Sequence, residues 1–347
     1  MWRPVFFLVF LCVGLGWSQV ILDLRGYRYT EIFPWILKTN RIYDAIFIDT
    51  PFKGYSGRFF PTEEVYDYTD LGEKNQRGSV VTFLGSREEF DQMMMWAISN
   101  KLPVYVRVRL FQQRVGFLTN VWEDADFYPD YTVAFDRLQT SKKLKEIVAL
   151  LMRMPVTFWV VDITGLEKTY QKKAAQWVRE NFAKAFVMGD GEEYVTFSSM
   201  PFFRWRREIE ENGRVREPAW TWNGVYVLPE ENMSAAGVMY YFLARQKRVP
   251  IVITPGVVSL VERLEKASPA HWGNLRLIYA ASDHLWGVSS EGVFSFYMGQ
   301  SVRYTNYSLP LSGNLVSYFG SPYLLKTPGG VEGIFLPGSF SLWTIEK

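Results

Sequence analysis

The sequence predicts a (β/α)8 barrel followed by a small all-β domain, and three observations predict it. First, eight short runs rich in β-forming residues alternate with segments of helical period. Strands alternating with helices build a parallel sheet, and eight such repeats over about 250 residues build a barrel. An open doubly wound sheet is the competing arrangement of the same alternation. Second, runs such as Phe158-Trp159-Val160-Val161 are apolar throughout, as strands buried on both faces are. Third, the pattern changes after Gly273 to short alternating strands separated by Gly, Ser, Pro and Asn turns.

The strand candidates, in order, are Val20–Leu24, Ala45–Ile48, Val104–Leu110, Phe158–Ile163, Ala185–Met188, Val195–Phe197, Val225–Leu228 and Pro250–Ile253. Between and after them, apolar residues recur at helical spacing: Phe90/Met93/Met94/Ala97, Leu144/Ile147/Val148/Leu151, Ala174/Trp177/Val178, Met239/Phe242/Leu243 and Val257/Leu260/Val261/Leu264. One repeat is defective, because Gly189 to Tyr194 is too short to hold a helix between the fifth and sixth strands. Beyond residue 274, Val293–Met298, Gly333–Leu336 and Phe340–Ile345 read as strands, and Val302 to Tyr307 as ordinary sheet or a ligand-binding edge.

The chain opens with the features of an export leader. Met1-Trp2-Arg3 gives a positive start, and Val5 to Leu15 is apolar but too short to span a bilayer. Gly16-Trp17-Ser18 offers small residues for cleavage, so residues 1–18 read as a signal peptide and the protein as secreted or periplasmic. A signal anchor is the alternative, although no second apolar span follows. The expected division is therefore 1–18 leader, 19–273 barrel and 274–347 β domain. The single cysteine, Cys12, falls in the leader, so the mature chain would have neither a disulfide nor a thiolate metal site.

Composition removes several function classes. A net charge of +2 spread over mixed charges lacks the concentrated basic face a nucleic-acid partner needs. The cluster Arg204-Trp205-Arg206-Arg207 is followed by Glu208, Glu210 and Glu211 and reads as the solvated face of a helix. Only two histidines are present, His271 and His284, both near the C-terminus. A histidine metal site or a Ser-His-Asp triad in the main body is thereby excluded. Aromatic residues make up 17% of the chain, with 13 Trp and 20 Tyr, which suits an aromatic core and equally suits stacking against sugar rings.

One carboxylate stands out. There is no acid between Glu146 and Asp162, and Asp162 closes the apolar run that begins at Phe158. At the C-terminal end of a buried parallel strand it is expected to face the barrel mouth, in an accessible hollow ringed by other acids. Such folds place their chemistry there.

Several short motifs occur in a telling order: Ala45-Ile46-Phe47-Ile48-Asp49-Thr50-Pro51-Phe52, Tyr66-Asp67-Tyr68-Thr69-Asp70, Leu84-Gly85-Ser86-Arg87-Glu88-Glu89-Phe90, Thr196-Phe197-Ser198-Ser199-Met200-Pro201-Phe202-Phe203 and Val249-Pro250-Ile251-Val252-Ile253-Thr254-Pro255-Gly256. Together they resemble the α-amylase family of glycoside hydrolases, over most of the mature chain. The resemblance implies an amylase-like barrel with a C-terminal β domain, and carbohydrate, an α-glucan or related oligosaccharide, as the partner. It implies Asp162 as nucleophile, an acid from Asp190, Glu192 or Glu231, and sugar contacts from Tyr66, Asp67, Arg107 and Glu230. It requires no cofactor. The family's catalytic regions fit less well. At the third strand, Arg107, Phe111 and Gln112 stand where the family has Asp, Asn and His. At the fourth, Val160 stands where the family has Arg. The fifth strand reads Gly189-Asp190 rather than Gly-Glu, and the seventh Pro229-Glu230-Glu231 rather than Asn-His-Asp. Family calcium sites use the Asn for which Phe111 stands here, so no metal is expected at that place.

A retaining glycosidase needs two carboxyls about 5–5.5 Å apart, one to attack the anomeric carbon and one to protonate the leaving oxygen. In the amylase pattern an Arg two residues before the nucleophile supports its charge, and Val160 removes that support. Arg107 or Arg109, from the third strand, could supply it. Shortening the acid to Asp190 withdraws its carboxyl by one methylene, a displacement that can cost about a hundredfold in rate. Gly189-Asp190-Gly191 reads equally well as a tight turn, and Glu230-Glu231 as the acidic first turn of a helix. A catalytically inactive relative that binds carbohydrate or serves a structural role is therefore the competing reading.

Overall fold

The computed structural model describes residues 20–49, 87–108, 110–111, 142–164, 166–183, 185–189, 194, 196–198, 200–220, 224–227, 234–267, 275–308, 313–320 and 324–346. The chain divides into two compact units, Ile21–Thr196 and Phe197–Lys347, the latter grouped with Met1–Val20.

The first unit is a parallel sheet with helices between its strands. Its elements are β1 (Val20–Asp23), α1 (Tyr29–Leu37), β2 (Ala45–Asp49), α2 (Arg87–Ser99), β3 (Val104–Val108), α3 (Lys142–Arg153), β4 (Phe158–Asp162), α4 (Lys168–Asn181) and β5 (Ala185–Met188). The strands stand side by side in chain order, β1 to β5, each parallel to the next. Their apolar runs are buried on both faces: Ala45 to Ile48 and Trp159 to Val161 have no exposed surface. That is the environment in which parallel strands lose the apolar–polar alternation of a half-exposed sheet. Helices α1 and α2 pack against each other through aromatic contacts, Tyr29 against Phe90 at 5.3 Å and Phe33 against Trp96 at 4.6 Å.

The second unit begins with β6 (Thr196–Ser198), α5 (Met200–Asn212), β7 (Gly224–Val227), α6 (Ala235–Lys247), β8 (Ile251–Ile253) and α7 (Val258–Ala267). These strands neighbour one another in the order β8-β7-β6. Helix α6 is buried nearly all round, from Ala236 to Ala244. Ser234 caps it, accepting a bond from the Gly237 amide. Among the described residues no helix lies between β5 and β6, as the short spacing there requires. The unit continues with eight antiparallel strands: β9 (Arg276–Ala281), β10 (His284–Val288), β11 (Gly292–Tyr297), β12 (Arg303–Tyr307), β13 (Asn314–Phe319), β14 (Leu324–Thr327), β15 (Gly330–Phe335) and β16 (Ser339–Glu346). They form a five-stranded sheet, β13-β16-β11-β10-β9, and a three-stranded one, β12-β15-β14. The compact unit beginning at Phe197 holds both helices α5 to α7 and the antiparallel strands. Aromatic rings pack its helices against its strands. Phe242 of α6 lies 5.4 Å from Phe294 and 5.2 Å from Phe340, and Trp205 of α5 stacks 6.2 Å from Phe296. Among the described residues no helix is long and apolar enough to cross a membrane.

The β-rich part is built around a buried histidine. His284 has no exposed surface and sits among Trp286, Tyr297, Tyr307 and Phe335. Its Nδ1 lies 2.7 Å from the Tyr307 hydroxyl and its Nε2 2.6 Å from Ser295 Oγ. Burial, and then the positive charge of Arg303, push its pKa down from 6.5 to about 3. The folded ring therefore stays neutral where the unfolded one would take up a proton. Its stabilising contribution is intact above pH 6.5 and erodes as the pH falls toward 3, by at most about 1.4 kcal/mol per pH unit. The thermal midpoint of wild type should fall between pH 6.5 and 4, with His284→Gln showing a shallower fall. Identical pH profiles for the two proteins would remove His284 as the cause. His271 lies outside the described residues.

Candidate functional site

The site is assembled where β1 to β4 end. Strand β4 stops at Asp162, whose Oδ1 accepts the Thr164 backbone N–H at 3.0 Å and the Thr164 hydroxyl at 2.6 Å. An aspartate that binds its own backbone two residues on closes a turn, so the residue ending the strand also fixes its carboxylate. Asp162 has no exposed surface. The sequence reading placed it before an accessible hollow. In the structure it is enclosed, and the groups that meet its charge are polar and cationic. Thr164→Val, which deletes one donor at constant shape, is expected to cost about 1–3 kcal/mol in urea unfolding. An unchanged unfolding midpoint would show that the backbone bond alone suffices.

Arg107 supplies the cation. Its Cα is in register with Asp49 on one side and with Val160 on the other. The Nε donates to Asp49 Oδ1 at 2.6 Å, while Nη1 stands 3.7 Å from Asp162 Oδ2. One guanidinium thus lies between two carboxylates that are 5% and 0% exposed. Buried charges of one sign require such compensation. Burial works to lower the Arg107 pKa, but the charge of Asp49, its hydrogen bond, and the charges of Asp162 and Asp23 outweigh it and hold the group above its ordinary value.

On β1, Asp23 takes a fork from Arg25, with Nε to Oδ1 at 2.8 Å and Nη2 to Oδ2 at 2.7 Å. The Arg25 guanidinium lies 4.6 Å from the centre of the Phe47 ring. Three carboxylates and two guanidiniums therefore gather at the carboxyl ends of four consecutive strands. A parallel sheet of this class presents its chemistry at that edge.

Asp162 and Arg107 are the two sequence-predicted site residues among the described residues, and the structure brings them together. Tyr66, Asp67, Asp190, Glu192, Glu230 and Glu231 lie outside the described residues, as do Arg109 and Gln112. Phe111 is buried, with its ring edge-on to Trp177 at 5.9 Å. Gly189 closes β5 where a Cβ would stand 2.8 Å from the Tyr194 ring and 3.1 Å from Ile163. Close approach requires glycine there, whatever the role of Asp190. Among the described residues no group of three or more His, Cys, Asp or Glu side chains could hold a metal ion.

Sequence reading missed Asp23, Arg25, Asp49 and Thr164. A signal for two of them was present, since β1 and β2 read Val-Ile-Leu-Asp and Ala-Ile-Phe-Ile-Asp, apolar runs closed by an aspartate just as β4 is.

The chain matches no family sequence model and no curated protein sequence. Solved structures give a consistent answer. A debranching enzyme from Nostoc punctiforme matches with a TM-score of 0.51 at 11% identity, covering 92% of this chain and 89% of its own. An α-amylase from Lactobacillus plantarum matches with a TM-score of 0.55 at 9% identity, covering 95% of this chain and 99% of its own. The fold is that of the α-amylases. A third amylase-fold match, the Geobacillus thermoleovorans α-amylase complexed with acarbose, has a TM-score of 0.53 at 10% identity and covers 95% of this chain and 98% of its own. At these identities the likeness is one of fold. Within the amylase fold, the register adds a specific point. Arg107 stands directly opposite Val160, the position that resembles the family's arginine, so the cation comes from the neighbouring strand at the same level.

Proposed function

We propose that this amylase-fold chain is a glycoside hydrolase acting on an α-glucan or related oligosaccharide, by a retaining mechanism centred on Asp162. The observation that carries the reading is the Arg107 guanidinium held between Asp49 and Asp162 at the ends of β2 to β4. It supplies from β3 the positive charge that Val160 no longer supplies from β4. In this reading a carboxylate oxygen of Asp162 attacks the anomeric carbon and the glycosidic C–O bond breaks. The departing oxygen takes a proton from an acid drawn from Asp190, Glu192 and Glu231. Water then attacks the glycosyl ester, gives its proton to that same residue, and releases Asp162. Tyr66, Asp67 and Glu230 would contact the sugar together with Arg107. The proposal includes closure of the eight strands into a (β/α)8 barrel, removal of residues 1–18, and secretion. The strand sequence and the apolar leader support those parts. The acarbose bound to the Geobacillus amylase is consistent with a carbohydrate partner.

The full burial of Asp162 favours a second reading, a relative without catalysis that binds carbohydrate or serves a structural role. A panel of α-glucans and maltooligosaccharides separates the two when hydrolysis and calorimetric binding are measured on the same protein. Turnover by wild type that is lost in Asp162→Asn supports the hydrolase. Saturable binding without turnover supports the second reading, and neither binding nor turnover would contradict both carbohydrate readings.

A further inference from the structure

The exchange of an arginine on β4 for one on β3 raises a geometric question that Asp49 answers. A cation two residues before the nucleophile reaches it along its own strand. A cation on the adjacent strand starts about 4.8 Å to one side and must be aimed across the gap. Arg107 has flanking carboxylates in both directions, and its bonds to them are unequal. The contact to Asp49 is a short charge-assisted hydrogen bond at 2.6 Å, whereas that to Asp162 is an ion pair at 3.7 Å, beyond hydrogen-bond reach. Asp49 is directly opposite Arg107 in register and 5% exposed, so it holds the guanidinium from a fixed and dry position. Asp162 Oδ1 already holds two bonds from Thr164, so Oδ2 is the oxygen that the cation's distance governs.

We propose that Asp49 is a positioning residue, which anchors Arg107 by its Nε and so sets the guanidinium beside Asp162 Oδ2 without closing a direct hydrogen bond to it. Resting on the hydrolase reading, it assigns Asp49 a part in that site. With the anchor removed, Arg107 turns to Asp162 and pairs with it directly. The carboxylate is then bound to a donor that attack on a sugar would have to break.

Asp49→Ala removes the anchor, and Asp49→Asn keeps an acceptor of the same shape without its charge. Two readouts apply to the full-length protein. In nitrogen-15 NMR, the Arg107 Nε–H resonance, assigned by its loss in Arg107→Lys, should move in Asp49→Ala and stay near its wild-type position in Asp49→Asn. In glucan hydrolysis, Asp49→Ala should lower kcat about tenfold to a hundredfold, the range that misplacement by about 1 Å produces. KM should change by less than about threefold, and Asp49→Asn should recover most of the rate. Asp49→Ser, whose hydroxyl is too short to reach Nε, replaces the alanine variant if that one does not fold. An unmoved Arg107 resonance in Asp49→Ala overturns the proposal, as does a wild-type kcat with the anchor gone. If wild type turns over no glucan, the hydrolase reading fails. The resonance still decides whether Asp49 holds Arg107.

Discussion

Replacing Arg107 with methionine is expected to destabilise the protein by about 3–5 kcal/mol. The side chain is 18% exposed and stands between Asp49 and Asp162, which are buried. Without it, two buried anions on β2 and β4, the strands flanking β3, lose the cation they share. The penalty is the cost of leaving charges uncompensated, which exceeds the net worth of the ion pairs themselves. Arg107→Lys should cost less but still measurably, because an ammonium cannot present Nε to one carboxylate and Nη1 to the other. Chemical denaturation followed by circular dichroism reads both changes. Adding Asp49→Asn to the methionine variant should restore part of the loss, since one of the stranded charges is removed with it. A methionine variant within about 0.5 kcal/mol of wild type would mean that the charges are compensated from elsewhere.

Asp162→Asn is expected to lower glucan hydrolysis by roughly 10^4-fold or more, the scale on which loss of a reacting group is felt. The amide keeps an oxygen for the Thr164 donors, so the turn that ends β4 should survive. An amide does not form the glycosyl ester that the retaining route requires. The loss should therefore fall on kcat, with KM and oligosaccharide affinity changed only a few-fold. Steady-state kinetics alongside calorimetry with maltooligosaccharides separates these effects. A parallel loss of binding and rate would place Asp162 in substrate contact or folding rather than in the bond-breaking step.

The parallel strands were legible because burial on both faces writes itself into the sequence as uninterrupted apolar runs. Phe158 to Asp162 and Ala45 to Asp49 show this directly. Helix α1 was not recognised. Its segment carries Pro34 inside and is dense in aromatic and β-branched residues, which mask a helical period. The candidate site was legible only one residue at a time. Asp162 announced itself by ending an acid-poor stretch, but Asp49 and Arg107 are 58 positions apart and meet only through strand register. Arg107 and Arg109 are two positions apart and share a face in an extended strand, so periodicity could not choose between them; register with Asp49 identifies Arg107. Burial of Asp162 was equally hidden, because the exposure of a strand end is a property of the folded chain that a local run of residues does not carry. The aromatic contacts of Trp205 and Phe242 with the β-strands were also hidden, because they form through space between segments far apart in the chain.

The central claim is that Asp162 forms a covalent bond to sugar, and trapping that bond tests it most directly. A fluorinated glucosyl fluoride, activated for the first step and slow in the second, should accumulate a glycosyl ester on a retaining enzyme. Mass spectrometry of the labelled protein should show one added sugar, on the peptide containing Asp162, with no label in Asp162→Asn. Label on a different carboxylate, or continued glucan hydrolysis by Asp162→Asn at the wild-type rate, would contradict the account.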